Sequence, residues 1–269
     1  MSFTQRLRQV QIKQNSLLCV GLDVDMDKIP THLQSTKSPV LEFNRQIIEA
    51  THDLVCAYKP NLAFYEAMGE RGTVTLRETL KLIPKSVLTI GDGKRSDIGN
   101  TVERYAKALF DDFGFDSVTV NPYMGFDSIE PFLTNPEKGV FILALTSNSG
   151  SKDFQRLKVG TKPLYEKVVH TAKNWNVNRN IGFVVGATHP KELQQIRKIV
   201  PDMPILIPGI GKQGGDLKSS IHYGCDKHGQ LAVVNASRSI IYASSGKDFA
   251  KAARAEAKKM VEEMRMYVG

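Results

Sequence analysis

Two carboxylates and an ammonium stand at fixed intervals in the segment Ile90-Gly-Asp-Gly-Lys-Arg-Ser-Asp97, as Asp92, Lys94 and Asp97. The apolar residues Val87-Leu-Thr-Ile90 lead directly into them, so a strand that reads as buried runs straight into fixed charge. Charge away from water is costly unless it is compensated, and alternation of sign supplies each ion with a counter-ion while holding each side chain still. A lysine held in that way aims its ammonium at one point. There it can stabilise negative charge as it develops. The plainer reading is a salt-bridged helix start, with acids near the positive end of the helix dipole. Lys59, carried by a neighbouring predicted strand, tips the balance toward chemistry.

A second group lies toward the C-terminus. Gly209 to Gly215 contains four glycines, Gly211 among them, and Arg238 follows the next apolar run. Glycines let a backbone approach a ligand closely, and a guanidinium grips a phosphate with two parallel hydrogen bonds. The competing reading of the glycines is a simple turn. His222, Cys225 and His228 have a spacing that resembles a metal site, but they precede the last predicted strand, on the side where a barrel keeps stability rather than chemistry. No HxH or HExxH pattern occurs, so a histidine-bound catalytic metal has no support in the sequence.

These residues need a frame. Eight short apolar runs recur: 17–22, 57–64, 87–90, 117–120, 140–145, 182–186, 204–207 and 231–234. Each suits a strand buried on both faces, and the segments between them carry helical marks, such as Ser38-Pro39 before an apolar stripe and His189-Pro190 before Lys191 to Val200. The repeat of strand, loop and helix predicts an α/β fold, a closed (β/α)8 TIM barrel, with residues 1–269 as one domain. An open doubly wound sheet is the alternative, but Gly21-Leu-Asp-Val-Asp25 follows the first strand where a glycine-rich dinucleotide fingerprint would stand. Residues 2–14 read as an extra helix closing the barrel bottom, and Lys247 to Tyr267 as the eighth helix. In such a barrel chemistry belongs at the C-terminal ends of the strands. Asp23, Asp25, Lys59, Asp92, Lys94, Ser147 and Arg238 all fall there.

Composition narrows the class. The chain has 269 residues, 41% of them hydrophobic and 24% charged, which excludes disordered and fibrous proteins. The first fifteen residues lack the apolar core of a signal peptide and no window is long enough to span a bilayer, so a cytoplasmic location and no membrane partner are expected. Three scattered cysteines, Cys19, Cys56 and Cys225, indicate neither a disulfide framework nor a zinc cluster. The net charge of +8 is spread along the chain, and its densest stretch, Lys247 to Arg265, is mixed with acids. Nucleic acid is therefore not an expected partner, whereas diffuse positive charge suits capture of a small anion.

Seven stretches, CVGLDVD, YKPNLAFYE, DGKRSDIGNT, LTSNSGS, VVGATHPKEL, IPGIGKQGGD and NASRSI, resemble in sequence and order the orotidine 5′-monophosphate decarboxylase family, in its longer bacterial-type branch. The DxKxxD element is shared with sugar-phosphate relatives; DxKRxDIGNT together with KPNxAFYE is much more specific. The resemblance implies cofactor-independent loss of CO2 from orotidine 5′-monophosphate, giving uridine 5′-monophosphate. It implies Lys94 as the acid that protonates C6, Asp92 beside the substrate carboxylate, and Lys59 and Asp97 completing the charged array. Asp97, with Ile98 and Thr101, would reach into a partner subunit's site, which implies a homodimer. Asp23 and Lys59 resemble ribose contacts, Ser147 the reader of the pyrimidine, and Gln213 and Arg238 the phosphate grippers. One departure is that Ser149 stands where the family has a proline.

The residues leave two other readings open. A sugar-phosphate lyase of the same superfamily would need Mg2+ and an acid near the end of the second strand, where Lys59 stands instead. A phosphate- or nucleotide-binding barrel without catalysis would have no need of an ammonium beside two carboxylates.

Overall fold

Successive residues of a strand point to opposite sides, and in a parallel barrel both sides are covered, by the interior on one hand and by helices on the other. The computed structural model describes residues 1–210 and 215–268. In it, eight parallel strands close into a barrel: β1 (Leu18–Leu22), β2 (Ala57–Pro60), β3 (Leu88–Arg95), β4 (Ser117–Val120), β5 (Gly139–Leu145), β8 (Ile181–Val185), β9 (Ile205–Pro208) and β10 (Ala232–Ala236). Pairing of β1 with both β2 and β10 closes the ring. Two further short strands, β6 (Lys158–Val159) and β7 (Lys162–Pro163), form an antiparallel hairpin after β5.

One parity of each strand looks inward. Cys19, Ala57, Leu88, Ile90, Phe141, Val184, Leu206 and Val233 form an interior cluster with Phe3 and Leu7 of the helix Phe3–Gln14. The edge of Phe3 meets Phe141 with ring centroids 5.9 Å apart. Gln11 ties this helix to β10 with two buried bonds, donating to Ala232 O at 2.7 Å and accepting from Leu231 N–H at 2.9 Å. Residues 2–14 thus stop the barrel at its N-terminal end, as expected. Burying a phenylalanine side chain of this kind contributes roughly 1.5–3 kcal/mol. The opposite parity, with Leu18, Val20, Tyr58, Val118, Ile142, Phe183, Ile205 and Val234, packs under the outer helices.

The structure departs from expectation in four places. β2 stops at Pro60 rather than continuing to Phe64, because Asn61 caps a short helix, Leu62–Glu66, by accepting from Ala63 N–H at 3.3 Å. β3 continues past Ile90 to Arg95, so Asp92 and Lys94 belong to the strand and not to the helix after it. Ser38 occupies the N-cap position before Pro39, yet its side chain makes no capping bond. The last helix opens at Phe249 rather than Lys247. His222 lies in the helix Leu217–Gly224, Cys225 caps it and His228 follows in the turn before β10, beside Gln11 and Asn15 at the stopped end of the barrel.

Candidate active site

The inward parity that is apolar at the stopped end becomes polar at the other. Following Cys19, Ala57, Ile90, Ser117 and Val233 upward by twos gives Asp23, Lys59, Asp92, Thr119 and Asn235. A cavity of about 400 Å³ opens there, lined by Asp23, Lys59, Asn61, Asp92, Pro208, Asn235, Ser237, Arg238 and Tyr242. This is a volume suited to a nucleotide-sized ligand.

Asp92 is the hub. Its Oδ2 accepts from Lys59 Nζ at 2.6 Å, and its Oδ1 accepts from Lys94 Nζ at 2.6 Å and from Thr119 Oγ1 at 2.9 Å. Lys59 and Asp92 are buried and line the cavity, whereas 44% of the Lys94 side chain is exposed and Lys94 is not among the residues that line it. Burial opposes ionisation of Asp92, but the ammonium groups of Lys59 and Lys94 outweigh it and hold the carboxyl well below the usual carboxylate range. Burial likewise works against a charged Lys59, and the carboxylates of Asp92 and Asp23 outweigh it, raising the Lys59 ammonium above its ordinary value. The result is a desolvated, preorganised ion array with one ammonium turned outward. The helix-start reading of these charges fails: the next helix, Gly99–Lys107, has no acid in its first turn and no side-chain cap.

Asp23 is held from the far side of the ring. Ser237 Oγ donates to Asp23 Oδ2 at 2.7 Å, which requires β1 and β10 to approach closely at Gly21, where a Cβ would come within 2.7 Å of that hydroxyl oxygen. The other oxygen, Asp23 Oδ1, and the Asn235 Oδ1 beside it are buried with no hydrogen-bond partner among the described residues. Both acceptors belong to residues that line the cavity. Tyr242, whose hydroxyl is pushed up to about 12 by burial, accepts from Asp25 N–H at 2.7 Å and fixes the turn after β1.

Ser147 sits in the turn after β5, half-buried and against Gly186 of the loop after β8. Its neighbour Thr146 is clamped: Gln155 Oε1 accepts from Thr146 N–H at 2.8 Å and Gln155 Nε2 donates to Thr146 Oγ1 at 2.9 Å. His189 Nε2 lies 3.0 Å from Thr146 O, while Arg156 lies 3.0 Å from His189 Nδ1. A guanidinium has no acceptor, so Nδ1 carries the lone pair and Nε2 the proton that Thr146 O accepts. Ser149 opens a short 3-10 turn, Ser149–Lys152, a position where proline would also fit.

Asp97 lies beyond β3 and accepts from Ile98 N–H at 2.8 Å, and Thr101 is exposed in the first turn of the following helix. Neither lines the cavity. Arg238 does line it, at the start of the short helix Arg238–Ile241 after β10. Gln213 and Gly211 lie outside the described residues. Among the described residues no group of three or more His, Cys, Asp or Glu is placed to hold a metal ion.

Sequence reasoning missed Thr119, Asn61, Ser237 and Tyr242. The alternation of β4 would have found Thr119, a polar residue on the inward parity of an apolar strand. Ser237 and Tyr242 leave no local signal, since their partners are more than two hundred residues away.

The family model described as Orotidine 5'-phosphate decarboxylase / HUMPS family matches residues 16–255. The chain belongs to this family. The match starts immediately before β1 and runs into the last helix, so it spans the barrel and every residue of the site. An orotidine 5'-phosphate decarboxylase of Christiangramia forsetii is 52% identical over 264 residues, covering 97% of this chain and 97% of that one. The solved structure of Leishmania donovani OMP decarboxylase superposes with a TM-score of 0.87 at 38% identity, covering 100% of this chain and 99% of that one. Leishmania donovani UMP synthase gives a TM-score of 0.89 at 39% identity over 100% of this chain, which spans 57% of that longer protein. The N-terminal helix, outside the family match, is therefore included in the likeness to these relatives.

Proposed function

We propose that the chain converts orotidine 5′-monophosphate to uridine 5′-monophosphate and CO2 without a cofactor, as the last step of de novo pyrimidine nucleotide synthesis in the cytoplasm. The observation that carries this reading is the single carboxylate of Asp92 holding Lys59 on one oxygen and Lys94 on the other. Breaking the bond between C6 and the carboxyl carbon leaves its electron pair on C6, and the Lys94 ammonium, already fixed nearby, stabilises that charge and transfers a proton to the carbon. Lys59 keeps Asp92 ionised and in place.

The binding roles are those the family resemblance implies. Asp23, steadied by Ser237 and with one oxygen unpartnered, accepts from ribose hydroxyls together with Lys59. Ser147, on its clamped turn, reads the pyrimidine. Arg238 takes the phosphate with Gln213 and Gly211, and this remote grip supplies binding energy that orients the ring over Lys94.

Asp97 and Thr101, which stand away from the cavity of their own chain, act in the site of a second copy, making the enzyme a homodimer. Exposed apolar side chains on the loops after β3, β4 and β5 support this: Ile98 is 54% exposed, Tyr123 81% and Phe154 62%. No helix among the described residues is long and apolar enough to cross a membrane.

The test is the ultraviolet absorbance of orotidine 5′-monophosphate mixed with the protein in EDTA, beside Lys94→Ala. Rapid loss of the substrate signal by the unaltered chain alone is expected. Turnover by Lys94→Ala at a comparable rate refutes the proton-donor role, and dependence on added Mg2+ favours the sugar-phosphate lyase.

A further inference from the structure

β3 and β4 do not pair residue for residue. Ile90 pairs with Ser117 and Gly91 with Val118, but the next pair is Arg95 with Val120. Between these pairs Asp92, Gly93 and Lys94 stand opposite Thr119 alone. The extra length disrupts the pairing near the end of β3, and Lys94 absorbs it with a left-handed backbone, φ +48°, that residues other than glycine rarely adopt. Such a conformation is strained and persists only where the surroundings impose it.

What imposes it is one hydroxyl. Lys94 N–H donates to Thr119 Oγ1 at 3.0 Å, and Thr119 Oγ1 donates to Asp92 Oδ1 at 2.9 Å. A hydroxyl carries one proton and two lone pairs, so it serves both partners at once, which a methyl group in its place cannot do. Thr119 is 1% exposed, so water does not stand in for it. Its β-branch restricts rotation about χ1 and keeps the oxygen where the bulge needs it.

We infer that Thr119 is a positioning residue for the reaction: its hydroxyl locks the strained backbone of Lys94 and the carboxylate of Asp92 to one another, setting where the ammonium points. This rests on the proposed role of Lys94 as proton donor. Thr119 itself is buried and does not line the cavity, so it acts through Lys94 and Asp92.

The experiment compares Thr119→Val, Thr119→Ser and Lys94→Ala in the full chain, with orotidine 5′-monophosphate for turnover and uridine 5′-monophosphate for binding. Thr119→Val, equal in shape but without the hydroxyl, is expected to lower kcat on the order of 100-fold while nucleotide affinity stays within about threefold. Thr119→Ser, which restores the hydroxyl, should recover most of the loss. Wild-type kcat in Thr119→Val overturns the inference, as does an equal fall in Thr119→Val and Thr119→Ser. Loss of nucleotide affinity in step with kcat also overturns it. Should Thr119→Val not fold, Thr119→Ala against Thr119→Ser decides the same question. Activity in Lys94→Ala removes the proton-donor reading and this inference together, whereas an inactive Lys94→Ala beside a fully active Thr119→Val removes this inference alone.

Discussion

Lys59 donates to Asp92 at 2.6 Å with 4% of its side chain and 9% of its partner's exposed, so the two form an ion pair taken almost wholly out of water. Such a pair gains little over a well-packed apolar one, but removing a single partner strands the other charge. Lys59→Met should therefore destabilise the protein by about 3–5 kcal/mol. Urea unfolding measures it, and a loss below about 1 kcal/mol would mean that Lys94 and Thr119 alone suffice for Asp92.

The pH dependence of that contribution has a definite sign. Asp92 is held below its ordinary 3.8, so the stability it supplies is complete above that value and is lost as pH falls through the lowered one. Lys59 is held above its ordinary 10.5, so its share is complete below that value and is lost as pH rises through the raised one. The stability difference between the unaltered chain and Lys59→Met should accordingly be flat from about pH 5 to 9. A slope in that range, read from unfolding at several pH values, would contradict the ion-pair assignment.

The clamp on Thr146 makes a separate prediction. Gln155→Leu removes both its bonds to Thr146 and leaves a half-buried N–H without its partner. We expect a stability loss of about 1 kcal/mol and a fall in kcat/KM of about tenfold. Steady-state kinetics with an unchanged kcat/KM would show that the turn bearing Ser147 holds itself.

Much of this site is legible in the sequence because strand parity is a local property. Asp92 is in step with Ile90, and Lys59 with Ala57, so their convergence follows from alternation once a closed barrel is accepted, whereas the bulge at Lys94 does not. The eight strands were legible for the same reason, each being a short apolar run. What was not legible is non-local or conformational. The extension of β3 depends on a bulge that β4 accommodates, and Pro60-Asn61 ends β2 through a side-chain cap inside a run that otherwise reads as continuous. Ser237 reaches Asp23 only because the ring closes β10 onto β1.

A dimer with Asp97 shared across subunits has a genetic signature. In a mixed dimer of Lys94→Ala and Asp97→Ala chains, one site carries both substitutions and the other neither. Mixing the two inactive variants under conditions that exchange subunits should restore activity to about a quarter of the sites by random pairing. Continued inactivity, with exchange verified by mass, would place Asp97 in the site of its own chain.

The helix that seals the lower end of the barrel also governs traffic. With Phe3 and Leu7 filling that end among Cys19, Leu88 and Phe141, the described residues leave the cavity to open at the opposite end. Under the proposed reaction, CO2 is released at the same end at which the nucleotide is bound. Gas and product would then leave by one side of the barrel, a consequence of the stopper rather than of the charges above it.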